Sequence, residues 1–136
     1  MLGEEMKAHA VNVELVFGSP PPRAWVDPGQ LRQAMLNIVR NSREAMPSGG
    51  TLQVRTAANG EASILEFVDD GEGIEPETAR RAFEPFYSTK PDGTGLGLSL
   101  TEQIMAEHNG SIEIQRAGER GTRVVLSLPH RPASLN

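Results

Sequence analysis

The residues best placed to do chemistry in this chain are acids, amides and glycines, and the densest group is Val68-Asp69-Asp70-Gly71-Glu72-Gly73-Ile74. An apolar run at 64–68 reads as a buried strand that stops at two acids, followed by two glycines spaced one apart. Glycine tolerates φ > 0 and has no Cβ, so a second backbone or a flat ligand can come close. An acceptor at a strand end beside bare backbone suits a planar ligand with exocyclic N–H donors, such as adenine. Taken alone, the pattern also describes an ordinary Asp-Gly turn.

A second group is Asn37 and Asn41, four apart in a helical pattern. Asparagine is a mediocre helix former because its side chain competes for backbone hydrogen bonds, so two on one stripe call for a reason. One reading is a solvated stripe. The other is a pair of neutral oxygen donors facing phosphates and a hydrated Mg²⁺, which takes few protein ligands. The third group, Gly93-Thr94-Gly95-Leu96-Gly97-Leu98-Ser99, leads into a helical pattern at 98–108. Bare N–H groups and the positive end of a helix dipole suit phosphate oxygens. No Gly-Lys-Ser/Thr follows and Leu98 stands where the dinucleotide fingerprint has its last glycine, so neither standard phosphate loop is present.

The elements that must position these groups can be read in order. Val11, Val13, Leu15 and Phe17 alternate as a strand with one buried face. Asp27-Pro28 is an N-cap with proline at the first helical position, opening a helix over 28–46. Its core face carries Leu31, Met35, Ile38, Val39 and Met46. Pro47-Ser48-Gly49-Gly50 ends it, and strands are expected over 51–57 and 62–68 around the turn Ala58-Asn59-Gly60-Glu61. A short helix is expected over 76–82. The segment Phe83-Glu84-Pro85-Phe86-Tyr87-Ser88-Thr89-Lys90 then breaks any period while holding half of the chain's aromatic residues. It reads as a lid, or alternatively as a loop pinned to the core by Phe83 and Phe86. Asn109-Gly110 closes the last helix, with His108 as a partner for its dipole. A hairpin of 111–115 and 122–128 completes the chain, leaving 1–10 as a linker remnant, 11–129 as the domain and 130–136 as a tail.

Composition excludes several classes. At 136 residues the chain is one domain's worth. It has no cysteine, so disulfides and thiolate metal sites are ruled out and a reducing cytosol is compatible. A net charge of −5 with scattered Lys and Arg argues against nucleic acid. No apolar run approaches a membrane span, and no signal-peptide pattern is present. Met1-Leu2-Gly3 reads as an artificial start, so the chain is expected to be a piece of something longer.

Four boxes in this order resemble the catalytic, ATP-binding domain of sensor histidine kinases, a branch of the gyrase, chaperone, kinase and mismatch-repair ATPase superfamily. They are Asn37-Ile38-Val39-Arg40-Asn41, Asp69-Asp70-Gly71-Glu72-Gly73, Phe83-Glu84-Pro85-Phe86 and Gly93-Thr94-Gly95-Leu96-Gly97-Leu98. Arg43-Glu44-Ala45-Met46-Pro47 and Tyr87-Ser88-Thr89-Lys90 are similar to the nitrogen-regulation type of sensor kinase. The resemblance implies an α+β fold, a two-layer α/β sandwich whose mixed, mostly antiparallel sheet has about five strands and about three helices on one face. It also implies that ATP and Mg²⁺ are bound between the helices and the lid. Asp69 would accept from the adenine amino group, with Gly71, Gly73 and Ile74 lining the base and Thr122 supporting it. Asn41 would hold Mg²⁺ with Asn37 beside the phosphates. Gly93, Thr94, Gly95, Leu96, Gly97 and Leu98 would cradle the phosphates, and Lys90 would reach the γ-phosphate.

In the hydrolytic and serine-kinase branches the position of Asn37 is a glutamate general base. Water and hydroxyls must lose a proton to attack, whereas a neutral imidazole already has a nucleophilic lone pair. Asn37 therefore favours transfer to histidine over hydrolysis. Glu44 and Ser42 depart from the lysine and alanine common in the family, leaving Lys90, Arg40 and Arg43 as candidate phosphate cations. None of His9, His108 or His130 has the acceptor histidine's context, so the acceptor is expected on a separate helical hairpin of a cytoplasmic kinase, soluble or membrane-anchored, with a response regulator downstream. The isolated domain is expected to be a monomer. The competing readings are a nucleotide-binding module without transfer and a hydrolytic ATPase.

Overall fold

The computed structural model describes residues 11–18, 23–60, 62–87 and 97–130. Among these residues, five strands and three helices follow in the order β1 (Val11–Val16), α1 (Pro28–Glu44), β2 (Gly50–Asn59), β3 (Ala62–Asp69), α2 (Pro76–Arg81), α3 (Gly97–Glu107), β4 (Ser111–Arg116) and β5 (Thr122–Pro129). The strands form one sheet in the order β1-β2-β3-β5-β4, parallel only between β1 and β2.

Side chains alternate across a strand, so one row of each faces the helices. Phe67 lies opposite Val54 on β2 and Val124 on β5, and Leu65 lies opposite Leu126. With Leu52, Leu128, Ile38, Val39 and Met105 these residues make the core. The helix over 28–46 ends at Glu44, with Ala45 as its C-cap, yet Met46 remains buried just beyond it. Asp27 caps it as expected: its carboxylate accepts from Gly29 N–H at 2.8 Å and Gln30 N–H at 3.2 Å.

One expectation changes and another gains detail. The alternation in β1 implies one buried face, but only Val11 is buried; Val13, Leu15 and Phe17 are exposed, Phe17 at 65 %. The strand is at one edge of the sheet, so its alternation continues beyond the core that its neighbour Leu52 enters. His108, expected as a partner for the C-terminal dipole of α3, meets the last turn of that helix and reaches further. Its Nδ1 lies 2.7 Å from the Ile104 carbonyl, and its Nε2 accepts from Asp27 N–H at 3.1 Å. The ring is thus a clamp joining the end of α3 to the start of α1. The left-handed residue closing α3 is Asn109, at φ 59°. Gly110 is needed there because a Cβ would strike the Ser127 carbonyl.

Candidate nucleotide site

The period of two that carries Phe67 into the core also carries Asp69 there, one step further along β3. Asp69 is 5 % exposed. Its Oδ1 accepts from Gly71 N–H at 3.0 Å and from Thr122 N–H at 3.2 Å. Burial raises the pKa of its carboxyl above the ordinary carboxylate range, while the Gly71 and Thr122 N–H groups and the Ser42 hydroxyl oppose the rise. The carboxylate is thus turned toward the helices with one oxygen fixed by the main chain.

The glycines after it are there for backbone reasons. Gly71 sits so close to the end of α1 that a Cβ would strike the Ala45 carbonyl, which also accepts from Glu72 N–H at 3.2 Å. Gly73 has φ 87° and a virtual Cβ only 3.2 Å from the Gly121 carbonyl. Gly121, at φ 93°, lies against the Asp69 carbonyl with no room for any side chain. Three bare stretches of backbone therefore meet beside Asp69, with Ile74 half-buried at the exit of the turn. The second acid serves the loop rather than the slot, since Asp70 accepts from Thr51 N–H at 2.9 Å and ties the turn to β2.

The amides lie higher on α1. Asn37 Nδ2 donates to the Gly97 carbonyl at 3.1 Å and to Thr101 Oγ1 at 3.3 Å, and Asn37 Oδ1 accepts from Gln33 at 3.2 Å. Asn41 is half-buried one turn below, next to Ser42. Along a helix of 1.5 Å rise, Ser42 and Asn37 are about 7.5 Å apart. One helix thus touches Asp69 with one turn and the start of α3 with another.

The structure brings Asp69, Gly71, Gly73 and Thr122 together in one cluster, and Asn37 and Gly97 in a second. Leu98 is half-buried in the first turn of α3. Lys90, Gly93, Thr94, Gly95 and Leu96 lie outside the described residues. The foot of the expected lid is described: Arg81 donates to Glu84 at 2.7 Å and lies 4.2 Å over the Tyr87 ring. Phe83 is half-buried and Phe86, at φ 68°, is 78 % exposed, so Phe86 does not pin this segment to the core. Sequence reasoning missed three residues of the two clusters. Ser42 stood out only as a departure from alanine, Gly121 only as a hairpin residue, and Thr101 not at all. For Ser42 and Thr101 the signal in the sequence is a hydroxyl on a helix's apolar stripe, four residues from Ile38 and from Met105 respectively.

The donor set suits an adenine nucleotide: a buried acceptor for an exocyclic amine beside a tight glycine turn, and neutral amides rather than a carboxylate cage nearby. Residues 26–132 match the model of the histidine kinase-, DNA gyrase B-, and HSP90-like ATPase family. The chain belongs to this family. Among histidine kinase-like ATPases, it is 40 % identical over 126 residues to sporulation kinase D of Bacillus subtilis (strain 168), covering 92 % of this chain and 25 % of that protein. It is 38 % identical over 141 residues to the sensory histidine kinase/phosphatase NtrB of Rhodobacter capsulatus, covering 94 % of this chain and 39 % of that one. The solved catalytic domain of histidine kinase ThkA superposes with a TM-score of 0.86 at 25 % identity, covering 95 % of this chain and 85 % of that one. The fold and family are those of the ATP-binding catalytic domain of sensor histidine kinases. The chain spans a quarter or less of the length of the first three sporulation kinases it matches. No helix among the described residues is long and apolar enough to cross a membrane.

Proposed function

We propose that residues 11–129 bind Mg-ATP and transfer its γ-phosphoryl group to a histidine on a separate helical hairpin of the parent kinase, at a cytoplasmic site. The observation that carries this reading is the buried Asp69, held by two main-chain N–H groups beside the bare backbone of Gly71, Gly73 and Gly121. That arrangement offers the adenine amine a fixed acceptor beside a turn whose backbone is tightly held. Asn41 is the residue proposed to meet Mg²⁺, and one neutral oxygen is enough for an ion that keeps most of its water. When bound, the metal neutralises phosphate charge. Gly97 and Leu98, with residues 93–96 and Lys90, are proposed to receive the phosphates.

In the transfer, the imidazole lone pair attacks the γ-phosphorus, the bond from the β–γ bridging oxygen breaks, and ADP leaves with that electron pair. The imidazole's own N–H proton goes to solvent. No base is required to start the attack, which fits an amide at position 37. Catalysis is mainly positioning and charge neutralisation.

Calorimetric titration with a non-hydrolysable ATP analogue, with and without Mg²⁺, tests the binding half. Binding is expected to depend on Mg²⁺, and Asp69→Ala is expected to weaken it by about 1.5–3 kcal/mol, the range for a hydrogen bond to a charged group. Unchanged affinity in Asp69→Ala would remove the adenine assignment. The transfer half is tested by mixing the chain with an acceptor hairpin and labelled ATP and looking for an acid-labile phosphohistidine. Steady phosphate release without any acceptor would instead point to a hydrolytic ATPase.

A further inference from the structure

Thr101 is completely buried, yet the nucleotide reading leaves it without a role. Its Oγ1 lies 2.9 Å from the Gly97 carbonyl, which can only accept, so the hydroxyl proton is committed there. What Oγ1 then presents to Asn37 is a lone pair. The Asn37 Nδ2 group meets two acceptors, Thr101 Oγ1 and the Gly97 carbonyl, and has two hydrogens to give. Its Oδ1 meets the Gln33 amide as donor. Turning the Asn37 amide over would set oxygen against the Gly97 oxygen and N–H₂ against N–H₂.

We infer that Thr101 is a positioning residue: it latches the Asn37 amide onto the first residue of α3, and through it holds the foot of the glycine-rich segment against α1. This deepens the nucleotide reading and rests on it for its effect on binding. While latched, Asn37 has no hydrogen left for a phosphate, so it acts on the phosphate end through Gly97. A carboxylate in its place would face the Gly97 carbonyl with nothing to donate. The pocket around position 37 is therefore wired for a donor, which places the preference for an amide over a general base in α3 as well as in α1.

The test uses this chain with Mg²⁺ and a non-hydrolysable ATP analogue. Thr101→Val keeps the shape and removes the hydroxyl, and is expected to weaken analogue binding roughly three- to tenfold, the size of one lost neutral hydrogen bond. Thr101→Ser is expected to restore it. In an Asn37→Ala background, Thr101→Val is expected to change nothing further, because the latch is already open. An equal loss in both backgrounds, or no loss in either, overturns the inference. Side-chain amide exchange, measured by NMR without nucleotide, supplies the second readout. The Asn37 N–H₂ protons should exchange slowly in the wild type and in Thr101→Ser, and quickly in Thr101→Val. Identical exchange in wild type and Thr101→Val sinks the latch. If the wild-type chain failed to bind the analogue, the nucleotide reading would fall, and the amide measurement would still decide the latch.

Discussion

At the proposed base end of the site the key carboxylate is held mainly by main-chain N–H groups; at the proposed phosphate end the key amide is held mainly by side chains. Asp69 receives Gly71 and Thr122 N–H groups, and the turn around it is set by Gly71, Gly73 and Gly121, whose neighbours leave no room for a Cβ or only a tight fit. Asn37 instead depends on Gln33 and Thr101 side chains and on one carbonyl of α3. N–H donors fixed in a tight turn and at a strand start move only when that backbone moves. A side-chain latch between two helices can open at the cost of a few neutral hydrogen bonds, about 0.5–1.5 kcal/mol each. The difference fits the proposed division of work: a base would need a preformed slot, whereas phosphates would have to be gripped and then released as ADP.

The strongest way to break the base end is to put a side chain where backbone meets backbone. Gly121→Ala places a methyl group on the Asp69 carbonyl and asks alanine to hold φ 93°. Overpacking and backbone strain together should cost about 3 kcal/mol or more, seen as a large fall in the urea midpoint. An unchanged midpoint would mean that the β5 entry is far softer than its geometry implies.

A subtler change separates binding from folding at the same place. Because burial raises the Asp69 pKa, its contribution to stability is fully present below the unfolded-state pKa. It is lost as pH rises from there through the raised folded value. Asp69→Asn can still accept from Gly71 and Thr122 without burying a charge. The variant's urea midpoint relative to wild type should therefore climb across that window, with the variant at least as stable near neutral pH. Nucleotide binding should weaken at the same time, since the ionised acceptor is gone. A variant that becomes relatively less stable as pH rises would show that burial is not what sets the Asp69 carboxyl.

How much of this was legible in the sequence follows the same division. Asp69 stood out because a strand pattern runs straight into Asp-Asp-Gly, which an ordinary turn fits equally until β3 is seen to bury the carboxylate, and Asp27-Pro28 announced α1 by its capping chemistry. The order of the four boxes carried the fold. What could not be read was anything set by a partner distant in the chain. Ser42 looks like an ordinary helix residue until β3 brings Asp69 to it, and Thr101 until α1 brings Asn37. Gly121 belongs to its hairpin in sequence and to the Asp-Gly turn in space. For β1 the error ran the other way. Alternation shows that Val13 and Leu15 share a face, but the number of strands the helices cover is a property of the whole sheet.

Ser42 gives the smallest effect and the finest discrimination between the two ends. It sits on the helix that serves both, between Asn41 above and Asp69 below, and is 4 % exposed. Its hydroxyl favours the charged form of Asp69. In Ser42→Ala the carboxyl should rise further, and the stability lost should be about 1 kcal/mol, one buried hydrogen bond. That loss should appear only where Asp69 is ionised and fade as pH falls through its folded pKa, because the neutral acid no longer needs the donor. Exchange of the Asn37 amide, five residues away on the same helix, should be untouched. If it quickened together with the loss at Asp69, α1 would be carrying strain from one end to the other, and the two ends would have to be treated as one coupled site.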